Sequence, residues 1–451
     1  MPVLPRRPTW LDVSAWVRSQ RWVRALYRWL PVRLRARVAQ DMVDRTVATL
    51  RFAPMPPRPE VIDVPMAFPP TGKGRGVNLI GHFRGQFGLG ENARLFARAL
   101  LSQGYPVAMV DLDLDIPHAM DERSLDVHLG TALPYPVDLF FVNPDHLASA
   151  MATLGHDAAR NRYTIACWFW ELEKFPDAWR PAIDLVDEVM VATCFVQGSV
   201  RTVTDKPLFL APIPLGPPVD SGRSRDEFGL DDAYTFLVTF DFSSYLARKN
   251  PSAAIAAFRG AFTGDERVRL LIKTSNAHRH ADALRSLMEE SGGDPRIVIR
   301  DGLLPRSDLH ALQRCCDAYV SLHRAEGFGL GMAESMMLGK PVVATAYSGN
   351  LDFMTPDNSV LVPCRLVPVK AGDYAFGEGQ HWAEADVQAA SEAMRSLYAD
   401  RAWGDALGDR ARRDMEVFLS PERIGKALAE HLDAAPMPFP AWASSPPQAR
   451  P

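Results

Sequence analysis

The sequence predicts an α/β protein with two doubly wound parallel-sheet domains facing each other across a cleft. Three observations predict it. Short apolar runs alternate with helical stretches from residue 77 to residue 345, the pattern of parallel strands buried on both faces and joined by crossover helices. The proline-rich stretch 212–218 interrupts that alternation, which then restarts, as at a hinge between two domains. The chain has 451 residues, 47% hydrophobic and 23% charged, a length for two domains and an ordinary globular composition.

Residues 76–216 read as the first domain, with strands at 77–81, 107–112, 137–143, 163–170, 189–192 and 208–213 and a helix at 91–103. Residues 217–405 read as the second, with strands at 235–240, 269–273, 297–300, 318–321 and 341–345. Between them fall helices at 251–262, 281–290, 306–315 and 331–338. A C-terminal helix is expected over 406–433, crossing back to the first domain, and a Pro- and Ala-rich tail over 434–451. Ahead of the first domain lie a basic helical extension, 1–53, and a Pro/Gly-rich linker, 54–75.

The net charge of −4 conceals an asymmetry. Residues 1–51 hold eleven Arg, no Lys and three Asp, a net +8, which leaves the rest of the chain at −12. On a helix over 11–30, Arg18, Arg21, Arg24 and Arg28 fall within about 120° of arc, opposite Trp16, Val23, Leu26, Tyr27 and Leu30. Pro31 ends this helix and 32–50 offers a second. An Arg stripe opposite Trp and Leu suits a helix lying in an anionic membrane interface; it equally suits a helix packed on the protein's own body with a solvated basic face. The whole-chain charge offers no sign of nucleic-acid binding. Five scattered cysteines lack metal-ligand spacing and read as buried free thiols in a reducing compartment. No apolar run reaches the length of a membrane span, and a secretory signal is not expected.

Ligands of open parallel sheets bind at the carboxyl ends of strands, and the richest such end is 321–345. There a strand runs to His323, a loop carries Gly327 and Gly329, and a helix opens near Gly331. The glycines let backbone amides approach a ligand, and the helix N-terminus favours an anion such as a diphosphate. Glu334, one turn into the helix, can accept from a ribose diol, and Glu326, in the loop, from hydroxyls beyond the phosphates. Two Glu eight apart would share one solvated face of a continuous helix, but three glycines oppose that helix.

This stretch resembles the retaining glycosyltransferases of family four, which have the GT-B fold of two Rossmann-like domains. Glu326–Gly–Phe–Gly, Ala–Glu334–Ser–Met and Gly–Lys–Pro–Val–Val–Ala–Thr345 match the family's Glu-x7-Glu block, with Gly349–Asn350 where the family has a Gly-rich turn. The likeness covers about 235–362 and extends more loosely over 76–216. It implies that Glu334 holds the nucleotide ribose, that Glu326 holds the donor sugar, and that the amides around Gly329 and Leu330 meet the diphosphate. The family's phosphate-facing Lys falls on Lys249. Its Arg, five positions earlier, falls on Ser244, so Arg248 or Lys273 is the expected replacement. Basic side chains there stabilise charge on the leaving group; as mere solvated charges at a helix start they would be unfavourable.

In the first domain the loop after the first strand, Gly81–His82–Phe–Arg84–Gly85–Gln–Phe–Gly88–Leu–Gly90–Glu91, suggests phosphate or acceptor contact through Gly88. With Asp111 twenty residues on, it also leaves a dinucleotide-binding reading, or a tight structural turn. Asn143 and His146 follow the third strand where relatives place a His near the sugar. Trp170 and Glu171 end the next strand, aromatic face plus carboxylate, suited to a sugar acceptor or, for the tryptophan, to core.

The resemblance therefore implies a nucleotide-sugar-dependent hexosyltransferase, moving mannose or glucose to a carbohydrate acceptor, lipid-linked if the basic extension seats on membrane, in surface polysaccharide assembly. Lys249, Arg248 and Glu326 are assigned to catalysis. Glu334, Gly329, Leu330, Gly327, Lys273 and Gly88 are assigned to the donor, and His146, Asn143, Trp170 and Glu171 to the acceptor side. No metal or other cofactor is expected to be required, and the location is expected to be the cytoplasmic face of the membrane or the cytoplasm. A GT-B epimerase or phosphorylase, or a non-catalytic scaffold, are the rival readings.

Overall fold

The computed structural model describes residues 75–114, 116, 118–155 and 162–436, with Pro31 and Leu34. The basic extension other than those two residues, the linker up to residue 74 and the tail from 437 lie outside the described residues. The first sheet consists of β1 (Val77–Gly81), β2 (Val107–Asp111), β3 (Val137–Phe141), β4 (Tyr163–Trp168), β5 (Glu188–Val191) and β6 (Leu208–Leu210), in the order β2-β1-β3-β4-β5-β6. The second consists of β7 (Tyr234–Asp241), β8 (Val268–Ser275), β9 (Ile297–Asp301), β10 (Ala318–Ser321), β11 (Val342–Thr345) and β12 (Val360–Val362), in the order β12-β11-β10-β7-β8-β9. Every pairing in both is parallel. This is the GT-B architecture.

Helices cover both faces, so central strands are buried throughout; β1 and β3 have no exposed position. Their two polar side chains face each other, Asn78 donating to Asp138 at 2.6 Å, with burial raising the Asp138 carboxyl to about 7. Strand order reverses between β1 and β3 and between β7 and β10, which places a crevice beyond the carboxyl ends of these central strands.

Several strands stop short of their apolar runs. β3 ends at Phe141 because Asn143 is the N-cap of the Pro144–Leu154 helix, whose first residue is a proline. β4 ends at Trp168, leaving Trp170 in the following loop, and β10 ends at Ser321, two residues before His323. Three features were not evident in the residue pattern: β12, the antiparallel hairpin β13 (Cys364–Pro368) with β14 (His381–Ala385), and the Val387–Ala399 helix. The C-terminal helical stretch divides in two, Arg401–Phe418 and Pro421–Ala434. Ser420 caps the second by accepting from the Arg423 amide at 3.2 Å, and Pro421, lacking an N–H, occupies its first position. This last helix packs on the first domain: a Cβ on Gly425 would stand 2.6 Å from the Ala99 carbonyl oxygen of the Gly88–Ser102 helix. Among the described residues no helix is long and apolar enough to cross a membrane.

Candidate active site

The crevice is a cleft of about 1640 Å³ walled by both sheets, larger than a single small ligand needs. Every site residue singled out from the sequence lines it, as does Ser244.

Glu326 lines the cleft, 7% exposed, in the loop after β10. Its amide donates to Ser348 Oγ at 2.8 Å and its carbonyl accepts from the Gly349 amide at 2.9 Å, so the Gly349 turn fixes the loop. Lys249 Nζ stands 2.5 Å from Glu326 Oε1 and Arg248 Nη1 3.1 Å from Oε2. Burial pushes this carboxyl up, but the two cations outweigh it and hold it down at about 2. Burial lowers the Lys249 ammonium against the opposing pull of Glu326. Both cations come from the short helix Leu246–Lys249 beyond β7. Asn250, in the left-handed region at φ 51°, ends that helix and donates to the Leu322 carbonyl at 3.0 Å, which ties the turn to the end of β10.

Arg248 is buried. Its Nη1 also donates to the Ala325 carbonyl at 2.9 Å, Nη2 lies 3.7 Å from Glu171, and its buried Nε has no partner. The Lys273 ammonium is turned to the Thr274 carbonyl at 2.7 Å and to the Gly302 carbonyl. Of the two candidates to replace the missing arginine at Ser244, Arg248 is the one that reaches Glu326.

A second ionic centre surrounds Glu334, which is 1% exposed on the Leu330–Met337 helix. Arg306 pairs with it, Gln313 Nε2 donates to Oε2 at 3.3 Å, and His310 Nε2 stands 3.9 Å away. Burial raises this carboxyl, but Arg306 and His310 prevail and hold it at about 2. Arg306 also approaches Glu91 of the first domain at 3.6 Å, so it spans the cleft. Arg306 Nε, His310 Nε2 and Gln313 Oε1 are buried without hydrogen-bond partners. Unsatisfied buried groups need a reason, and clustered around a carboxylate at the cleft wall they fit a site awaiting a polar ligand. The sequence reading missed Arg306, His310 and Gln313; Arg306 opens the helix after β9, so the strand-end rule could have found it.

Gly329, at φ 100°, caps the Leu330–Met337 helix and turns its N-terminus to the cleft. The first-turn N–H groups of a helix have no intrahelical acceptor, which makes this an anion-receptive wall. Gly327 has a different reason: a Cβ there would stand 3.3 Å from the Trp170 carbonyl oxygen, so it lets the domains meet. Across the cleft, Gly88 opens the Gly88–Ser102 helix with open space where its side chain would be. Asp111 accepts from the Arg84 amide at 3.1 Å and so holds the glycine loop from below. His82 is buried, with Nδ1 3.0 Å from the Leu112 carbonyl, and burial lowers it to about 4.

The acceptor-side assignments divide. His146 is half exposed at the cleft, beside Asp145. Asn143 Oδ1 accepts from the Phe169 amide at 3.1 Å and is committed to the backbone. Trp170 is buried: its Nε1 donates to the Lys174 carbonyl at 2.8 Å, and its ring packs on Trp179 and Tyr374. Glu171 accepts from Tyr374 Oη at 2.5 Å. The loop between β13 and β14 thus covers Trp170, which offers no free face to an acceptor, and engages Glu171, whose side chain stays partly exposed at the cleft. Tyr374 and Phe376 of that loop were not singled out from the sequence.

Residues 241–400, which include both ionic centres, match the family model described as Glycosyl transferases group 1. Over this stretch the chain is similar to the group 1 glycosyltransferases. Over 148 residues this chain is 27% identical to a trehalose synthase of Rubrobacter xylanophilus, covering 32% of the chain and 35% of that relative. The chain thus spans about a third of the curated relative it matches. The two sheets with their helices share their fold with Anabaena HepE in complex with UDP and glucose, at TM-score 0.60 and 14% identity over 80% of this chain and 99% of that one. The sucrose-phosphate synthase of Thermosynechococcus elongatus is similar at TM-score 0.60 and 16% identity, over 80% and 98%.

Proposed function

We propose that this chain transfers a hexosyl group from a nucleotide-sugar to a carbohydrate hydroxyl, with retention at the anomeric carbon. The observation that carries the reading is the pairing of two buried carboxylates, Glu326 with Lys249 and Arg248, Glu334 with Arg306, on either side of the helix N-terminus at Leu330. That spacing suits a donor lying along the loop. The ribose diol takes the place of Arg306 on Glu334, the diphosphate meets the Leu330 end of the helix and Lys249, and the hexose hydroxyls reach Glu326. The relatives support the donor class: HepE was solved with UDP-glucose.

In the reaction the bond between the anomeric carbon and the diphosphate oxygen breaks, and the acceptor oxygen bonds to that carbon on the same face. The acceptor proton passes to the departing phosphate oxygen. Lys249, Arg248 and the helix N-terminus stabilise the charge gathering on the diphosphate, the electrostatic role worth 10²–10³ in rate for a single well-placed donor. In this reading those groups supply the positive charge without a metal ion. Mannose or glucose as the hexose, a lipid-linked acceptor, surface polysaccharide as the product, and docking of residues 11–51 on the cytoplasmic face of a membrane extend the same reading.

Incubation with UDP-, GDP- and dTDP-hexoses and a sugar acceptor panel tests it. Free nucleoside diphosphate and a glycoside product are expected from at least one donor, with a loss of at least 100-fold in Glu326→Ala. No turnover of any donor, or an unchanged rate in that variant, overturns the reading.

A further inference from the structure

The β13–β14 hairpin belongs to neither large sheet, yet its connecting loop reaches across the cleft and is bonded to the first domain. Gln380 Oε1 accepts from the Lys174 amide at 3.0 Å, and Tyr374 Oη donates to Glu171. Gln380 Nε2 in turn donates to the Phe376 carbonyl at 2.8 Å, which sets the loop's inner curve.

Two of the aromatic side chains that line the cleft are about half exposed. Phe376 is 48% exposed and Tyr245 43% exposed, and both line the cavity. Both also have positive φ, 53° and 62°, among only five non-glycine residues described in that region. For bulky residues this backbone is an outlier that carries steric strain. Strain held at two aromatic residues that stay half exposed points to a use for their faces. Each is braced from behind: Phe376 edge-on to Trp179 at 5.6 Å and tilted on Trp170 at 6.4 Å, Tyr245 edge-on to Tyr374 at 4.8 Å. Tyr245 stands next to the reaction centre, since its carbonyl accepts from the Arg248 and Lys249 amides at 3.0 and 3.2 Å.

We propose that Tyr245 and Phe376 form an aromatic platform that receives the pyranose ring of the acceptor, and that the β13–β14 loop thereby selects a sugar over a simple alcohol. The apolar C–H face of a pyranose suits a rigid, half-exposed ring. The polar groups its hydroxyls need stand nearby: His146 and Asp145 line the same cavity. The buried Trp170 and the engaged Glu171 serve as the platform's support. The inference rests on the glycosyl-transfer reading for the meaning of "acceptor".

Saturation-transfer NMR of the full chain in the presence of UDP or GDP, with methyl glucoside, methyl mannoside, maltose or glycerol as probes, tests it. Calorimetry with the same nucleotide runs alongside. Transfer to ring protons of at least one pyranoside, none to glycerol, and a drop of at least fivefold in Phe376→Leu and Tyr245→Leu are expected, with nucleotide affinity within twofold. Phe376→Tyr, which keeps a ring, is expected to retain the signal. Pyranosides without transfer, glycerol with equal transfer, leucine variants with an unchanged signal, or loss of signal in Phe376→Tyr would each overturn the platform. Failure of the transfer reading is separate and shows as no nucleoside diphosphate bound by the unmodified chain.

Discussion

Glu326 and Glu334 are carboxylates withdrawn from water, and each keeps its charge only because cations were buried with it. The linkage to pH follows from the direction of the shifts. Both groups stand at about 2 in the folded chain against an ordinary value of 4.5. Each therefore contributes stability, on the order of 3 kcal/mol, that is fully present above about pH 4.5 and is lost as pH falls through about 2. Urea midpoints followed from pH 5.5 down to 2.5 are expected to fall more steeply for the unmodified chain than for a Glu326→Gln/Glu334→Gln double variant. Parallel slopes would show that the two pairs do not carry this stability.

At the scale of elements, the unit proposed to hold the donor is a strand, a glycine loop and a helix start, β10 to Leu330–Met337. Gly329 holds the helix N-terminus toward the cleft at φ 100°, a conformation that L side chains rarely adopt. Gly329→Ala is expected to lower stability by about 1–2 kcal/mol and to weaken nucleoside diphosphate binding, read by thermal melts and calorimetry. Gly88→Ala, with nothing near its missing side chain and no positive φ, is expected to stay within about 0.5 kcal/mol of the parent. Equal effects at the two positions would refute the backbone argument. This unit was legible in the residues because apolar periodicity, glycine and helix start are local signals. The β13–β14 hairpin was not: prolines and charges break its alternation, and it is anchored by the buried Trp382 and by bonds to the first domain. Periodicity also overran β3 and β4, since Val142 extends the apolar run of β3 up to Asn143, and Phe169 and Trp170 extend that of β4 past Trp168.

For the whole molecule, what matters is how the two sheets are joined. Thr193 Oγ1 donates to the Gly327 carbonyl at 2.8 Å, the Cys194 amide to Asp352 at 2.7 Å, and Arg306 lies between Glu91 and Glu334. The last helix returns to the first domain, where His431 meets Glu188 at 2.6 Å. The +8 extension falls outside the described residues, and its proposed role is membrane docking. Co-sedimentation with phosphatidylglycerol vesicles at low salt is expected to be at least fivefold greater for the full chain than for a chain beginning at residue 54, and to fall as salt rises. Equal sedimentation would remove the docking reading. The sequence alone determined the two parallel sheets, the strand ends that face the cleft, and the placement of Lys249, Glu326 and Glu334 along it, because each depends on neighbours within one strand–loop–helix unit. Only the tertiary structure decided that Arg248 joins Lys249 on Glu326, that Arg306 holds Glu334, and that Trp170 is covered by a tyrosine some 200 residues further on. Those contacts join segments remote in the chain, and which charges and rings meet there is fixed by how the two domains pack, a choice no local pattern encodes.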